Sequence, residues 1–175
     1  MAKTNRLCGL GRLIGIGLFG LTLTVGTVHA QTVNVYEWLQ VNAPVEKVWE
    51  KIGGFCDLTA FLPIVTKCEM AGDGGVGSIR YLELKIGDDT LTVDEPLVAL
   101  GKHSYTYIMS RGFLVEARYR STLRVMPATD PGTSIVDWTG QIDSQAYPDD
   151  KGAEMAKTLH GAYKTGLEGI KKLFE

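Results

Sequence analysis

From Thr66 to Ser144 the chain runs through six stretches of strand-like sequence with nothing longer than a turn between them. The stretches are Thr66–Ala71, Gly77–Ile86, Thr90–Leu97, His103–Ser110, Phe113–Met126 and Ser134–Ser144. Between them stand Gly72-Asp73-Gly74-Gly75, Gly87-Asp88-Asp89, Gly101, Arg111-Gly112 and Asp130-Pro131-Gly132, all turn chemistry. Parallel strands need a crossover of a dozen or more residues, so these connections restrict the sheet to an antiparallel meander.

Two helical patterns flank the meander. Val33–Val41 alternates as an opening strand, and Pro44 suits the first turn of the helix that follows. Val45, Val48, Trp49 and Ile52 recur at helical spacing, with Glu46, Lys47, Glu50 and Lys51 opposite, until Gly53-Gly54 ends the run. A second short helix is predicted over Leu58–Phe61, closed by Pro63. The last element is a long helix from about Asp150 to Phe174, with an apolar stripe of Met155, Leu159, Ala162 or Tyr163, Gly166, Ile170 and Leu173. The expected fold is therefore α+β: a seven-stranded antiparallel sheet wrapped around a long C-terminal helix, with two short helices after the first strand. Such a grip buries both apolar faces and tends to leave a cavity between them.

Alternation then assigns side chains to that cavity. Arg80, Leu82, Leu84 and Ile86 share one face of their strand; Leu91, Val93, Glu95 and Leu97 share one face of the next. The more apolar face points inward, which puts Arg80 and Glu95 together on the inside. Opposite charges there are a ligand-orienting pair, a closed salt bridge that fixes register, or a sign that this end of the sheet is wet. Tyr105, Tyr107 and Met109 form a further inward set. Phe113, Val115, Ala117, Tyr119, Ser121 and Leu123 form another, against Glu116, Arg118, Arg120 and Arg124; Val136, Trp138, Gly140 and Ile142 form the last, against Asp137 and Gln141. Arg80, Glu95, Tyr105, Tyr107, Tyr119 and Trp138 are the candidate cavity contacts; for each aromatic the alternative is ordinary core.

The N-terminus carries an export pattern. Lys3, Arg6 and Arg12 precede any acidic residue, an apolar stretch runs from Leu13 to Val25, and Val28-His29-Ala30 suits a signal peptidase. Residues 1–30 are expected to be a signal peptide, residues 31–175 the folded domain, and the periplasm its location; an uncleaved anchor is the alternative. Without the three cations of that segment, 15 basic residues face 20 acidic ones, a net charge of −5, which argues against nucleic acid. Cys56 and Cys68 are then a candidate disulfide, or two partly buried thiols. Two sulfurs with the distant His103 and His160 do not form a metal-ligand cluster. No nucleophile elbow, phosphate loop or dinucleotide fingerprint is present, and no cofactor or catalytic residue is assigned.

The segments Val48-Trp49…Ile52…Phe55, Phe61-Leu62-Pro63…Cys68-Glu69, Gly75-Val76-Gly77-Ser78-Ile79-Arg80, Glu95-Pro96-Leu97, Tyr105-Thr106-Tyr107 and Val136-Asp137-Trp138 resemble, in order, the polyketide cyclase/dehydrase-type branch of the START/Bet v 1-like (SRPBCC) superfamily. The resemblance implies a seven-stranded sheet gripping a C-terminal helix around an apolar pocket. Combined with export, it extends to the MxaD-type periplasmic proteins. It thereby implies a non-enzymatic accessory role in methanol oxidation, between a quinoprotein methanol dehydrogenase and a c-type cytochrome, with the charged outer sheet face as the docking surface. The alternatives are a carrier or sensor for a small hydrophobic ligand in the cavity and, behind it, a cyclase- or dehydratase-like enzyme using Glu95, Arg80 and a tyrosine.

Overall fold

The structure, a computed structural model, describes residues 32–147 and 151–175. The expected signal peptide lies outside the described residues. Strand β1 (Thr32–Val41) leads into helix α1 (Val45–Ile52), and six strands follow: β2 (Val65–Ala71), β3 (Ile79–Ile86), β4 (Asp89–Gly101), β5 (Ser104–Ile108), β6 (Arg120–Pro127) and β7 (Ser134–Asp143). Helix α2 (Lys151–Lys172) comes last. All seven strands form one antiparallel sheet in the order β1-β7-β6-β5-β4-β3-β2, so the first strand closes against the last and only β1 and β2 are edges.

Local chemistry accounts for the short elements. Pro44, extended at φ −63°, accepts the Val48 amide and starts α1; Gly53 ends it by donating its amide to the Trp49 carbonyl. Val45, Val48 and Ile52 face the core, as their spacing requires. The second predicted helix is only a single 3-10 turn, Asp57–Ala60. The Asp57 carboxylate accepts the Gly54 amide at its start, and Pro63 blocks continuation.

Two strand predictions are corrected. β4 continues past Leu97 to Gly101, pairing with β3 through its first part and with β5 through its second; the register shifts between Leu97 and Ala99, where a bulge bends the sheet around the helix. The predicted strand Phe113–Met126 begins only at Arg120. From Gly112 to Arg118 the chain turns back on itself: Arg118 sits at φ 50°, its amide bonds the Val115 carbonyl, and the Tyr119 amide bonds the Leu114 carbonyl. Leu114 is buried in place of Phe113 and Val115, which are left more than a third exposed. Glu116 and Arg118 therefore lie on this turn and not on the outer sheet face.

Helix α2 packs Leu159, Tyr163, Gly166, Leu167 and Ile170 into the concave side of the sheet. Glycine permits the closest approach: a β-carbon on Gly169 would stand 1.9 Å from the Phe61 carbonyl oxygen. The predicted stripe residue Leu173 is instead exposed beyond the helix end. Cys56 and Cys68 form a disulfide that joins the loop after α1 to β2, with Cα atoms 5.6 Å apart.

Candidate functional site

Strand period determines the centre of the site. Arg80 and Glu95 are direct register partners on β3 and β4, and their alternating neighbours Leu82, Leu84, Val93 and Leu97 share the buried face. Arg80 is 1% exposed and Glu95 5%, which removes the possibility of a wet sheet end. Arg80 Nε donates to Glu95 Oε2 at 2.7 Å, Nη2 lies 2.6 Å from the same oxygen, and Nη1 donates to the Phe55 carbonyl at 2.9 Å. The guanidinium carbon stands 4.3 Å from the ring centres of both Phe55 and Tyr107, two cation–π contacts in a desolvated setting.

Burial works against charge on both members. For Arg80 it is outweighed by Glu95 and by the neighbouring tyrosines, so the guanidinium is held more firmly protonated than usual. For Glu95 burial wins: the carboxyl is raised above its ordinary value, with Arg80 offsetting only part of the shift.

A second polar cluster lies deeper, between sheet and helix. Ser121 on β6 donates to the Thr139 carbonyl at 2.7 Å, which uses its single proton. The Tyr163 hydroxyl, 2.9 Å from Ser121 Oγ, must therefore donate to it, and the Tyr119 hydroxyl, 2.8 Å away, must donate to Tyr163. The Trp138 indole N–H is shared between Ser121 Oγ at 3.0 Å and the Tyr107 hydroxyl at 3.1 Å. Tyr107 closes the chain with a long 3.4 Å contact to Tyr119. Trp138 and Tyr163 stack with ring centres 4.7 Å apart. Gly140 makes room for this: a β-carbon there would stand 2.3 Å from the Tyr163 hydroxyl. Burial raises Tyr107, Tyr119 and Tyr163 above the ordinary phenol value, so all three are neutral donors and acceptors.

Between the clusters lies a cavity of about 80 Å³. Arg80, Glu95, Tyr107, Tyr119 and Trp138 line it; Tyr105 does not. Tyr105 packs against Trp49 and Phe55 beside Arg80, and its hydroxyl is buried with no hydrogen-bond partner among the described residues. The rest of the wall is apolar, with Leu58, Leu62, Ile64 and Val65 contributed by the loop that the disulfide closes. Sequence reasoning left three parts of the site unassigned. Tyr163 reads as one more residue of a helical stripe, Ser121 as a small inward residue, and the Phe55 carbonyl has no side-chain signal at all.

The seven-stranded sheet closed on a C-terminal helix around a largely apolar cavity defines a helix-grip protein of the Bet v 1-like class. The chain belongs to the polyketide cyclase/dehydrase and lipid transport family, which it matches over residues 32–175. It is similar to the protein XoxI from Bacillus cereus, at 26% identity and a TM-score of 0.69, over 81% of this chain and 94% of that one. Norcoclaurine synthase from Thalictrum flavum, in complex with dopamine and hydroxybenzaldehyde, is 21% identical with a TM-score of 0.63, over 93% of this chain and 95% of that one. The Zhui aromatase/cyclase from a Streptomyces species is 14% identical with a TM-score of 0.67, over 81% and 93%. At these lower identities the last two share the fold alone.

Proposed function

We propose that the protein binds a small, predominantly apolar molecule in the cavity between sheet and helix, as a carrier or sensor. The observation that carries this reading is the buried Arg80–Glu95 pair set in an otherwise apolar cavity wall. A few placed polar groups in an apolar hollow are the usual make-up of a small-molecule site. Norcoclaurine synthase, in complex with dopamine and hydroxybenzaldehyde, supplies a precedent for one-ring compounds bound by a protein of this fold. At about 80 Å³ the hollow is well below the roughly 300–1,000 Å³ of ordinary ligand pockets, so it takes a small occupant or its wall yields. Solvent extraction of the purified protein, followed by mass spectrometry, tests the reading together with titration by one-ring compounds. A bound compound, or a shift of the Trp138 indole N–H resonance, is expected. A protein that carries nothing and responds to no probe is not a carrier of this kind.

A second reading is the accessory one. Residues 1–30 then direct export, the domain from residue 31 works in the periplasm, and its outer sheet face docks on a quinoprotein dehydrogenase or a c-type cytochrome. What favours it is an outer-face group on β1, β7 and β6: Tyr36 and Trp38, both about half exposed, beside Arg124, with Asp137 the register partner of both Trp38 and Arg124. Aromatic residues and arginine are enriched where proteins dock. Arg124 is already held by Asp137, which leaves Arg120 the less committed of the two outer-face arginines of β6. Salt-sensitive co-purification of either partner with tagged protein from a periplasmic extract supports this reading, and recovery of neither overturns it.

A further inference from the structure

The polar wall of the cavity also says what kind of molecule it would receive, provided the ligand-binding reading holds. Arg80 places both its Nε and Nη2 contacts on Glu95 Oε2. No donor among the described residues meets Oε1, although Glu95 lines the cavity and is almost wholly buried. A carboxylate oxygen can only accept, and Oε1, which retains accessible surface, is left for a donor on whatever occupies the cavity.

The hydroxyl chain on the opposite wall has no proton to spare for a ligand, with one exception. Ser121 commits its proton to the Thr139 carbonyl, Tyr163 to Ser121, and Tyr119 to Tyr163. Only the Tyr107 proton, directed at Tyr119 across 3.4 Å, is held weakly enough to be redirected. The cavity thus presents one unmet acceptor and one loosely held donor, in a wall that is otherwise apolar.

Charge narrows the occupant further. Arg80 and Glu95 cancel, and the phenols around them are neutral, so the cavity wall has no net charge to balance. An anionic or cationic ligand would bring an uncompensated charge into a desolvated space, at a cost of several powers of ten in affinity.

We infer that the cavity selects neutral molecules with a small apolar body and either a hydroxyl, which both donates to Glu95 Oε1 and accepts from Tyr107, or an amide, whose N–H donates to Oε1 and whose carbonyl accepts from Tyr107. Phenols, alcohols and simple amides fit this description; carboxylates, amines and pure hydrocarbons do not.

The test uses four one-ring probes of similar size: phenol, anisole, benzoate and benzylammonium. Binding is followed on the full chain by the Trp138 indole N–H resonance and by calorimetry. Phenol is expected to bind about ten- to a hundredfold more tightly than anisole, the range for one hydrogen bond to a charged group. Both ions are expected to bind more weakly than phenol. In Glu95→Gln, whose amide can turn a donor toward the cavity, the phenol preference should disappear. If that variant does not fold, Arg80→Met/Glu95→Leu replaces the whole pair with apolar volume and should bind phenol and anisole equally. Anisole binding as tightly as phenol to the unaltered protein, or either ion binding best, overturns the inference and leaves the cavity a ligand site of another kind. Failure of all four probes to bind overturns the ligand reading itself.

Discussion

Arg80 and Glu95 stand directly opposite each other on β3 and β4, locked at 2.6 Å inside the cavity wall, with Arg80 tied further to the carbonyl of Phe55. Fifteen residues of sequence and one tight hairpin separate them, and the hairpin register alone brings them face to face.

That pairing makes single and double replacements behave differently. Arg80→Met strips Glu95 of its counter-charge in a desolvated wall, and should destabilise the fold by about 3–5 kcal/mol. Arg80→Met/Glu95→Leu removes both charges and should recover most of that loss. Urea unfolding of the three proteins checks this; a double variant as unstable as the single one would show that the pair's packing, not its charge, is what matters.

Reduction of the disulfide acts on the cavity wall. Cys56 and Cys68 close a loop that carries Leu58, Leu62, Ile64 and Val65, all of them cavity-lining. Chain-entropy arguments put such a short closure at about 3 kcal/mol. Cys56→Ser/Cys68→Ser should lower stability by that order and speed amide exchange in residues 57–67 more than in β6 or β7. Hydrogen exchange followed residue by residue gives the answer, and uniform acceleration across the sheet would contradict it.

Two glycines of α2 should respond with opposite signs to the same change. Gly161 has open space where a β-carbon would go, so Gly161→Ala should stabilise the helix by up to about 1 kcal/mol. Gly169 abuts the Phe61 backbone, so Gly169→Ala must push the helix off the loop and should destabilise by about 1–3 kcal/mol. Thermal unfolding of both variants decides it.

Alkaline pH should reveal the buried phenols as a group. Burial raises Tyr105, Tyr107, Tyr119 and Tyr163 above the unfolded value of about 10. The folded state therefore holds these protons longer than the unfolded one. Stability from them is complete below pH of about 10 and falls as pH rises beyond it. Absorbance at about 295 nm, the phenolate band, should show these four rings ionising together with unfolding. Gradual titration of all the tyrosines in a still-folded protein would contradict the burial.

Much of the fold was legible because strand and helix periods are local properties. The turn dipeptides set the meander, and alternation put Arg80, Glu95, Tyr107 and Trp138 on the inner face where the structure has them. The same rule failed over Phe113–Tyr119, where the apolar alternation of a strand is carried by a turn and Leu114 takes the buried position. A period of two is necessary for a half-buried strand but does not exclude other backbones with buried residues at irregular intervals.

By itself, then, the amino-acid sequence determined the element order, the antiparallel topology and the faces on which most side chains stand, since each follows from neighbouring residues along the chain. Tertiary structure alone decided that Tyr163 of the last helix completes a hydroxyl chain begun on β5 and β6, and that Tyr105 packs against Trp49 and Phe55 instead of lining the cavity. It also decided that the hollow narrows to about 80 Å³. These outcomes depend on how closely the helix settles on the sheet, a distance governed by Gly140, Gly166 and Gly169 meeting partners from remote segments. Period assigns a side chain to a face; only packing decides what it meets there.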